Sequence, residues 1–198
     1  MRTMKLKRVI IFLLVIGVMA VVTGCARWPY EPGPEPGTDY RLEITVEVAG
    51  EINSYDGIYY IVLDADGNSA TGPGDDISFW EGNFYFIKFD YFGCSLYPKE
   101  EGSAIPLTSA IFDNGKKLRM TIALSDLGVP SDVDFSIDIN AVTTDSEGNN
   151  YDHLDSYFTI YNTNVLGSTG EGVSSTDLEE DKADFDIVKV TAVITTLY

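Results

Sequence analysis

The chain has 198 residues, 31 of them Asp or Glu against 13 Lys or Arg, for a formal net charge of −18. So acidic a surface repels phosphate backbones, excludes nucleic-acid binding and favours solubility and cations. One histidine, no Gly-x-Ser-x-Gly elbow and no Cys/His zinc set leave the usual hydrolase and zinc chemistries without their residues, so no enzymatic activity is expected.

Arg2, Lys5, Lys7 and Arg8 form a basic start, followed by an uncharged apolar run over residues 9–22. At about 1.5 Å per residue the run is shorter than the roughly 30 Å hydrocarbon core of a bilayer, and its flanks fit a signal peptide better than a permanent span. It ends in Val22-Thr23-Gly24-Cys25, which resembles the bacterial lipobox. That resemblance implies cleavage after residue 24, lipidation of Cys25 as the first mature residue, and an extracytoplasmic protein held on a cell or outer membrane by acyl chains. Residues 1–24 carry four basic and no acidic residues, so the mature charge would be 9 − 31 = −22. Residues 25–39 hold four of the eight prolines and read as a stiff linker. With Cys25 acylated, Cys94 has no partner for an intrachain disulfide and is expected as a small buried apolar residue.

From residue 40 to 198 the period is two. Leu42, Ile44, Val46 and Val48 alternate with polar neighbours, as a strand with one wet face should. Further strands are expected over 57–63, 84–92, 109–113, 117–124, 133–142, 156–161 and 187–197, with Asn114-Gly115 as a hairpin turn. Residues 125–128 read as a single helical turn, and 162–183 as an acidic loop without strand character. The pattern predicts an all-β chain, a single antiparallel β-sandwich of about eight strands, immunoglobulin-like or jelly-roll-like.

Two features carry chemistry. Asp64-Ala65-Asp66-Gly67-Asn68 follows an apolar strand and runs on to Asp75 and Asp76. Oxygen-bearing side chains around a glycine bend can converge on a hard cation, so Asp64, Asp66, Asn68, Asp75 and Asp76 are candidate ligands for Ca²⁺. Asp145-Ser146-Glu147-Gly148-Asn149 repeats the pattern, although both strings are also good turn formers. Aromatic residues crowd two strands and a loop, and alternation must send some rings to the outer face. Trp80, Tyr59, Tyr85 and Tyr91 are the candidate ligand-binding rings, Trp80 first, since flat rings stack on the C–H faces of sugars.

Residues 59–68 (Tyr-Tyr-Ile-Val-Leu-Asp-Ala-Asp-Gly-Asn) with Thr71-Gly72, then 120–128 and 133–138, resemble the DOMON-like and family 9 carbohydrate-binding-module-like sandwich domains over roughly residues 40–160. The resemblance implies a ligand-binding sandwich, often for sugars and sometimes haem, with structural calcium in some members. The expected function is therefore a membrane-tethered binding module for a glycan or another cell-envelope ligand. The alternative is a non-catalytic structural or protein-interaction lipoprotein of an envelope complex.

Overall fold

The computed structural model describes residues 40–100, 102–130, 134–162, 172–176 and 182–196. The expected signal peptide, Cys25 and the proline-rich linker lie outside the described residues. The chain is all-β, two antiparallel sheets packed face to face as a β-sandwich. The first sheet runs in the order β11 (Val173–Thr176), β12 (Ile187–Thr196), β1 (Tyr40–Val48), β7 (Lys117–Ala123), β6 (Thr108–Phe112). The second runs β10 (Phe158–Tyr161), β8 (Ser136–Asp145), β2 (Gly57–Asp64), β3 (Tyr85–Asp90), β4 (Gly93–Tyr97), β5 (Ile105–Pro106), and β9 (Asn150–His153) also pairs with β8. β10 and β9 share one edge of β8, opposite residues 136–139 and 142–144 respectively.

Alternation decides what is buried. In β1, Leu42, Ile44 and Val46 face inward beside Ile122, Met120 and Leu118 of β7 and Ile194, Ala192 and Val190 of β12. Each such apolar side chain removed from water contributes roughly 1.5–3 kcal/mol. The outward residues are charged and paired, as in Lys117 with Glu47 at 3.5 Å and Arg119 with Glu43 at 3.2 Å. A bulge after Glu47 sets Val48 against Ile187 and leaves Val188 outside. Cys94 is buried and unpaired in this core, and burial, aided by Asp90, pushes its thiol up to about 12.

Twelve strands are described against the eight or so expected. The run 84–92 holds one strand, β3, and the turn after it: Tyr91 and Phe92 lie between Asp90 and Gly93, where β4 begins, with the Phe92 amide donating to Asp90 Oδ1 at 2.8 Å. Residues 162–183 contain β11, which adds to the edge at β12, so the expectation of a strand-free loop is corrected there. Asn114-Gly115 does close the β6–β7 hairpin, in a turn with Asp113, Asn114 and Gly115 all at positive φ. The turn at 124–127 is a single 3₁₀ turn closed by Gly128 at φ 66°.

Candidate functional site

The second sheet builds the site. Tyr59, Ile61 and Leu63 of β2, and Ile137, Ile139 and Ala141 of β8, face the main core. The alternate residues therefore stand on the outer face: Tyr60, Val62 and Asp64 on β2, then Ser136, Asp138, Asn140 and Val142 on β8. An apolar outer face cannot be left to water, and residues 65–84 fold back to cover part of it. Trp80 seals that cover, packing with Val62 and Val142 in a second small core and meeting Tyr60 edge-on at 5.7 Å. Its indole N–H donates to the Gly74 carbonyl at 3.1 Å, and Asn140 Nδ2 donates to the Pro73 carbonyl at 3.2 Å. Gly72 lies so close against the Tyr157 ring that a β-carbon there would overlap it.

Beyond the edge of this cover, the outer face of β3 and β4 is open. Phe86 and Tyr97 are directly opposite each other and stack in parallel, centroids 4.8 Å apart and 4° from coplanar. They floor a cleft of about 620 Å³, walled by Glu81 and Gly82 on one side and Pro98, Lys99, Glu100 and Gly102 on the other. A volume in the range of small-molecule sites, an aromatic floor and charged side chains of both signs on the walls suit a polar ligand with an apolar face.

Under the cover, Asp64 and Asp138 are directly opposite each other, with 6% and 1% exposure. Burial, then the nearby Asp66 carboxylate, push the Asp64 carboxyl up to about 6; Lys99 opposes this and Asp138 adds to it. Asp138 is also raised, mainly by burial, against a hydrogen bond from Thr159. A carboxyl raised in the folded state makes the fold most stable while that carboxyl is protonated. Its contribution is complete below the unfolded value near 4 and is lost as pH climbs through about 6. Asp64→Asn, neutral at every pH, is therefore expected to raise Tm by about 3 °C at pH 7.5 in metal-free buffer and by much less at pH 4. Thermal melts of both proteins at the two pH values check this.

The structure separates the five residues expected to hold calcium. Asp64 and Asp66 lie near Asp138. Asp66 Oδ1 accepts the Asn68 amide at 2.7 Å, and Asn68 Oδ1 accepts the Ala70 amide at 3.2 Å, so both side chains also shape their own turn. Asp75 sits 3.7 Å from Nε2 of His153, whose strand position is opposite Val142. That is four residues along β8 from Asp138, about 13 Å at the rise of a strand. Asp76 caps the 3₁₀ turn Ile77–Phe79, accepting from the Ser78 amide and hydroxyl. The expectation that Asp75 or Asp76 closes a site with Asp64 is corrected: Asp75 stands beside His153, and the Asp76 carboxylate is taken up in capping the 3₁₀ turn. Among the described residues no three acidic, histidine or cysteine side chains form a ready metal cage. In the second string, Asp145 accepts the amides of Glu147 and Asn149, at 2.8 and 2.9 Å, and the Asn149 side chain. These bonds hold its carboxyl below the usual range. It is a turn former there.

The four expected rings also part company. Trp80 and Tyr59 are each 1% exposed and belong to the two cores, so they offer no face to a ligand and that expectation is corrected. Tyr85 is half-buried against the main core, opposite Leu63. Tyr91 is exposed at the β3–β4 turn, 4.8 Å from the Tyr55 ring and 5.5 Å from Phe92. Tyr97, Lys99, Glu81 and Glu100 of the cleft were not singled out by sequence reasoning. The Tyr97 position follows only once β4 is recognised and set beside β3.

Comparison of the chain with protein-family models, with curated proteins and with solved structures finds no match.

Proposed function

We propose that the protein is a non-catalytic binding module, tethered outside the cytoplasm through a lipid on Cys25, and that it binds a carbohydrate of the cell envelope or its surroundings in the Phe86–Tyr97 cleft. The observation that carries this reading is the cleft itself, an aromatic floor on the outer sheet face bordered by Glu81, Lys99 and Glu100. Sugar rings present C–H faces that pack on aromatic rings, and hydroxyls that take hydrogen bonds from an ammonium and give them to carboxylates. The tether and the acidic surface agree with this role, since soluble glycans do not need a basic patch for capture.

The test is an array of cell-envelope and plant or microbial oligosaccharides, followed by calorimetry on the strongest binder. Tyr97→Ala is expected to weaken that binding by roughly tenfold or more, as loss of a central aromatic anchor does. The same change should lower Tm by only about 3 °C, because it removes one ring pair from a partly open site. No binding to any glycan, or equal affinity in the variant, would contradict the reading.

A protein-interaction role is the second reading, and one observation favours it. Tyr55, Tyr91 and Phe92 are 77%, 60% and 93% exposed, and the Tyr91 ring lies against both of the others. Three clustered bare rings are unusual on a surface that meets only water. They sit at the Gly57 end of β2, whereas the cleft lies toward its Asp64 end, beside Phe86. A partner protein would be met there without touching the cleft.

A further inference from the structure

We infer that the free edge of β6 is a self-association surface: two copies pair β6 to β6, antiparallel about a two-fold axis through Ala110, and join their first sheets into one. This does not depend on what the cleft binds, since no residue of 103–112 lines it.

The first observation is an unguarded edge. β6 ends the first sheet, and among the described residues no strand lies on its other side. Edge strands are normally blunted by charge, proline, a bulge or extreme shortness, because their open backbone groups invite pairing. The neighbouring edge of the second sheet follows that rule: β5 is two residues long, and one of them is Pro106. At the far side of the sandwich β11 lies beside β10. β6 has none of these guards. It reads Thr-Ser-Ala-Ile-Phe, pairs with β7 in unbroken register, and stands in a stretch, 103–112, without a single charge.

The second observation is an open rim. Ile111 is opposite Leu118 and so belongs to the inward row, yet it is 47% exposed while Leu118 is 0%. Ile105, on β5 just before β6, is 36% exposed. The core thus reaches solvent along this rim, where a further strand would cover it.

The backbone points to a second copy as the occupant. The Val48 amide donates to the Lys116 carbonyl at 3.0 Å, so residues 116, 118 and 120 aim their backbone groups at β1, and 117, 119 and 121 aim theirs at β6. The partners of that second set are Phe112, Ala110 and Thr108. Ser109 and Ile111 therefore direct their N–H and C=O away from β7, at the free edge. Pairing about Ala110 sets Ser109 of each copy opposite Ile111 of the other, so each outward donor of these residues meets an acceptor. At the axis Ala110 meets its own copy in a non-hydrogen-bonded pair, where Cα atoms approach to about 4.5 Å and a methyl group fits. The acidic total does not oppose this approach, because charge beside the edge is balanced in place. Lys117 is paired with Asp113 at 3.0 Å and with Glu47, and Arg119 with Glu43. Pairing also uses up the one unguarded edge among the described residues, so it closes at a dimer and does not grow into a fibre.

An edge contact of this kind falls below the roughly 1,200 Å² of a standard interface, so the dimer is reversible and best caught covalently. Ala110→Cys places two thiols across the axis at a Cα separation within the disulfide range of about 4.4–6.8 Å. The full-length Ala110→Cys protein, oxidised with copper–phenanthroline and run without reductant, is expected to give a band of twice the monomer mass. The native chain, with Cys25 and Cys94 alone, and Phe92→Cys, exposed at the β3–β4 turn, should stay monomeric. Adding Ser109→Pro to Ala110→Cys should abolish the band with little change in Tm, because proline removes only a donor that β7 does not use. Adding Ile111→Lys, which brings a charge to the seam from each copy, should abolish it as well. The inference is overturned by no dimer band above that of the native chain, by an equal band from Phe92→Cys, or by a band that persists in both double variants.

Discussion

Trp80→Ala is expected to lower the stability of the domain by about 3–5 kcal/mol, a fall of roughly 10 °C in Tm. The indole is fully enclosed between Val62, Val142, Tyr60 and Phe86, and among the described residues nothing else of its size stands on that side of the sheet. Its removal opens a cavity under a segment of some twenty residues that has no strand of its own and is otherwise held by scattered contacts, among them the Asn140 bond to Pro73, the Asp75 approach to His153 and the Gly72 and Ser69 contacts with Tyr157. The loss should therefore be local first. Amide exchange should speed up over residues 65–84 while the inward rows of β1, β7 and β12 keep their protection, since they form a separate core. Trp80→Phe, which keeps a ring but loses the bond to Gly74, should cost about half as much. A Tm within a degree or two of the native value for Trp80→Ala would mean that the ring is not the clasp described here.

Tyr59→Ala should cost a similar amount, about 3–5 kcal/mol, through a different set of contacts. Tyr59 lies in the main core, stacked on Phe185 at 5.5 Å and tilted against Phe89 at 6.1 Å. Its hydroxyl accepts the Asn53 amide at 2.8 Å and donates to the Asp184 carbonyl at 2.7 Å, linking the approach to β2 with the approach to β12. Burial raises the phenol well above its ordinary value, so it stays neutral and keeps donating across the working pH range. Tyr59→Phe removes only the hydroxyl and leaves both backbone partners unmet, at a cost of about 1–2 kcal/mol. Chemical denaturation of the two variants separates ring from hydroxyl, and a phenylalanine variant as unstable as the alanine one would contradict this division. Neither substitution touches the cleft wall, so glycan binding by the folded fraction should be retained.

These two residues also show where the sequence was legible and where it was not. Period-two alternation exposes the inward face of β1 directly, because its outer face meets water and its polar residues say so. β2 carries Ile58, Tyr60 and Val62 on the face opposite its core residues, so alternation no longer distinguishes core from surface there, whereas β8 alternates legibly through Asn140. The ring at position 59 could have stood on either side. Trp80 was misplaced for a related reason: a loop rich in Gly, Asp and Ser reads as exposed, and nothing local says that it folds back onto a sheet. Asp64-Ala65-Asp66-Gly67-Asn68 was correctly seen as a turn dense in oxygens. What it could not reveal was Asp138, 74 residues further along, set opposite Asp64 only by the β2–β8 register. The cleft was hidden twice over, first by reading Tyr91 and Phe92 as strand rather than turn, then by the pairing of β3 with β4 that sets Phe86 against Tyr97.

The division of the outer sheet face, one half sealed by Trp80 and the other open over Phe86 and Tyr97, is what the proposed binding role depends on. Amide chemical-shift mapping during titration with the strongest array glycan reads it most directly. Shifts concentrated at Glu81, Gly82, Tyr97, Lys99 and Gly102, with Tyr55, Tyr91 and Phe92 unmoved, are the result expected. Shifts confined to the Tyr55–Tyr91–Phe92 cluster, or none at millimolar glycan, would contradict it.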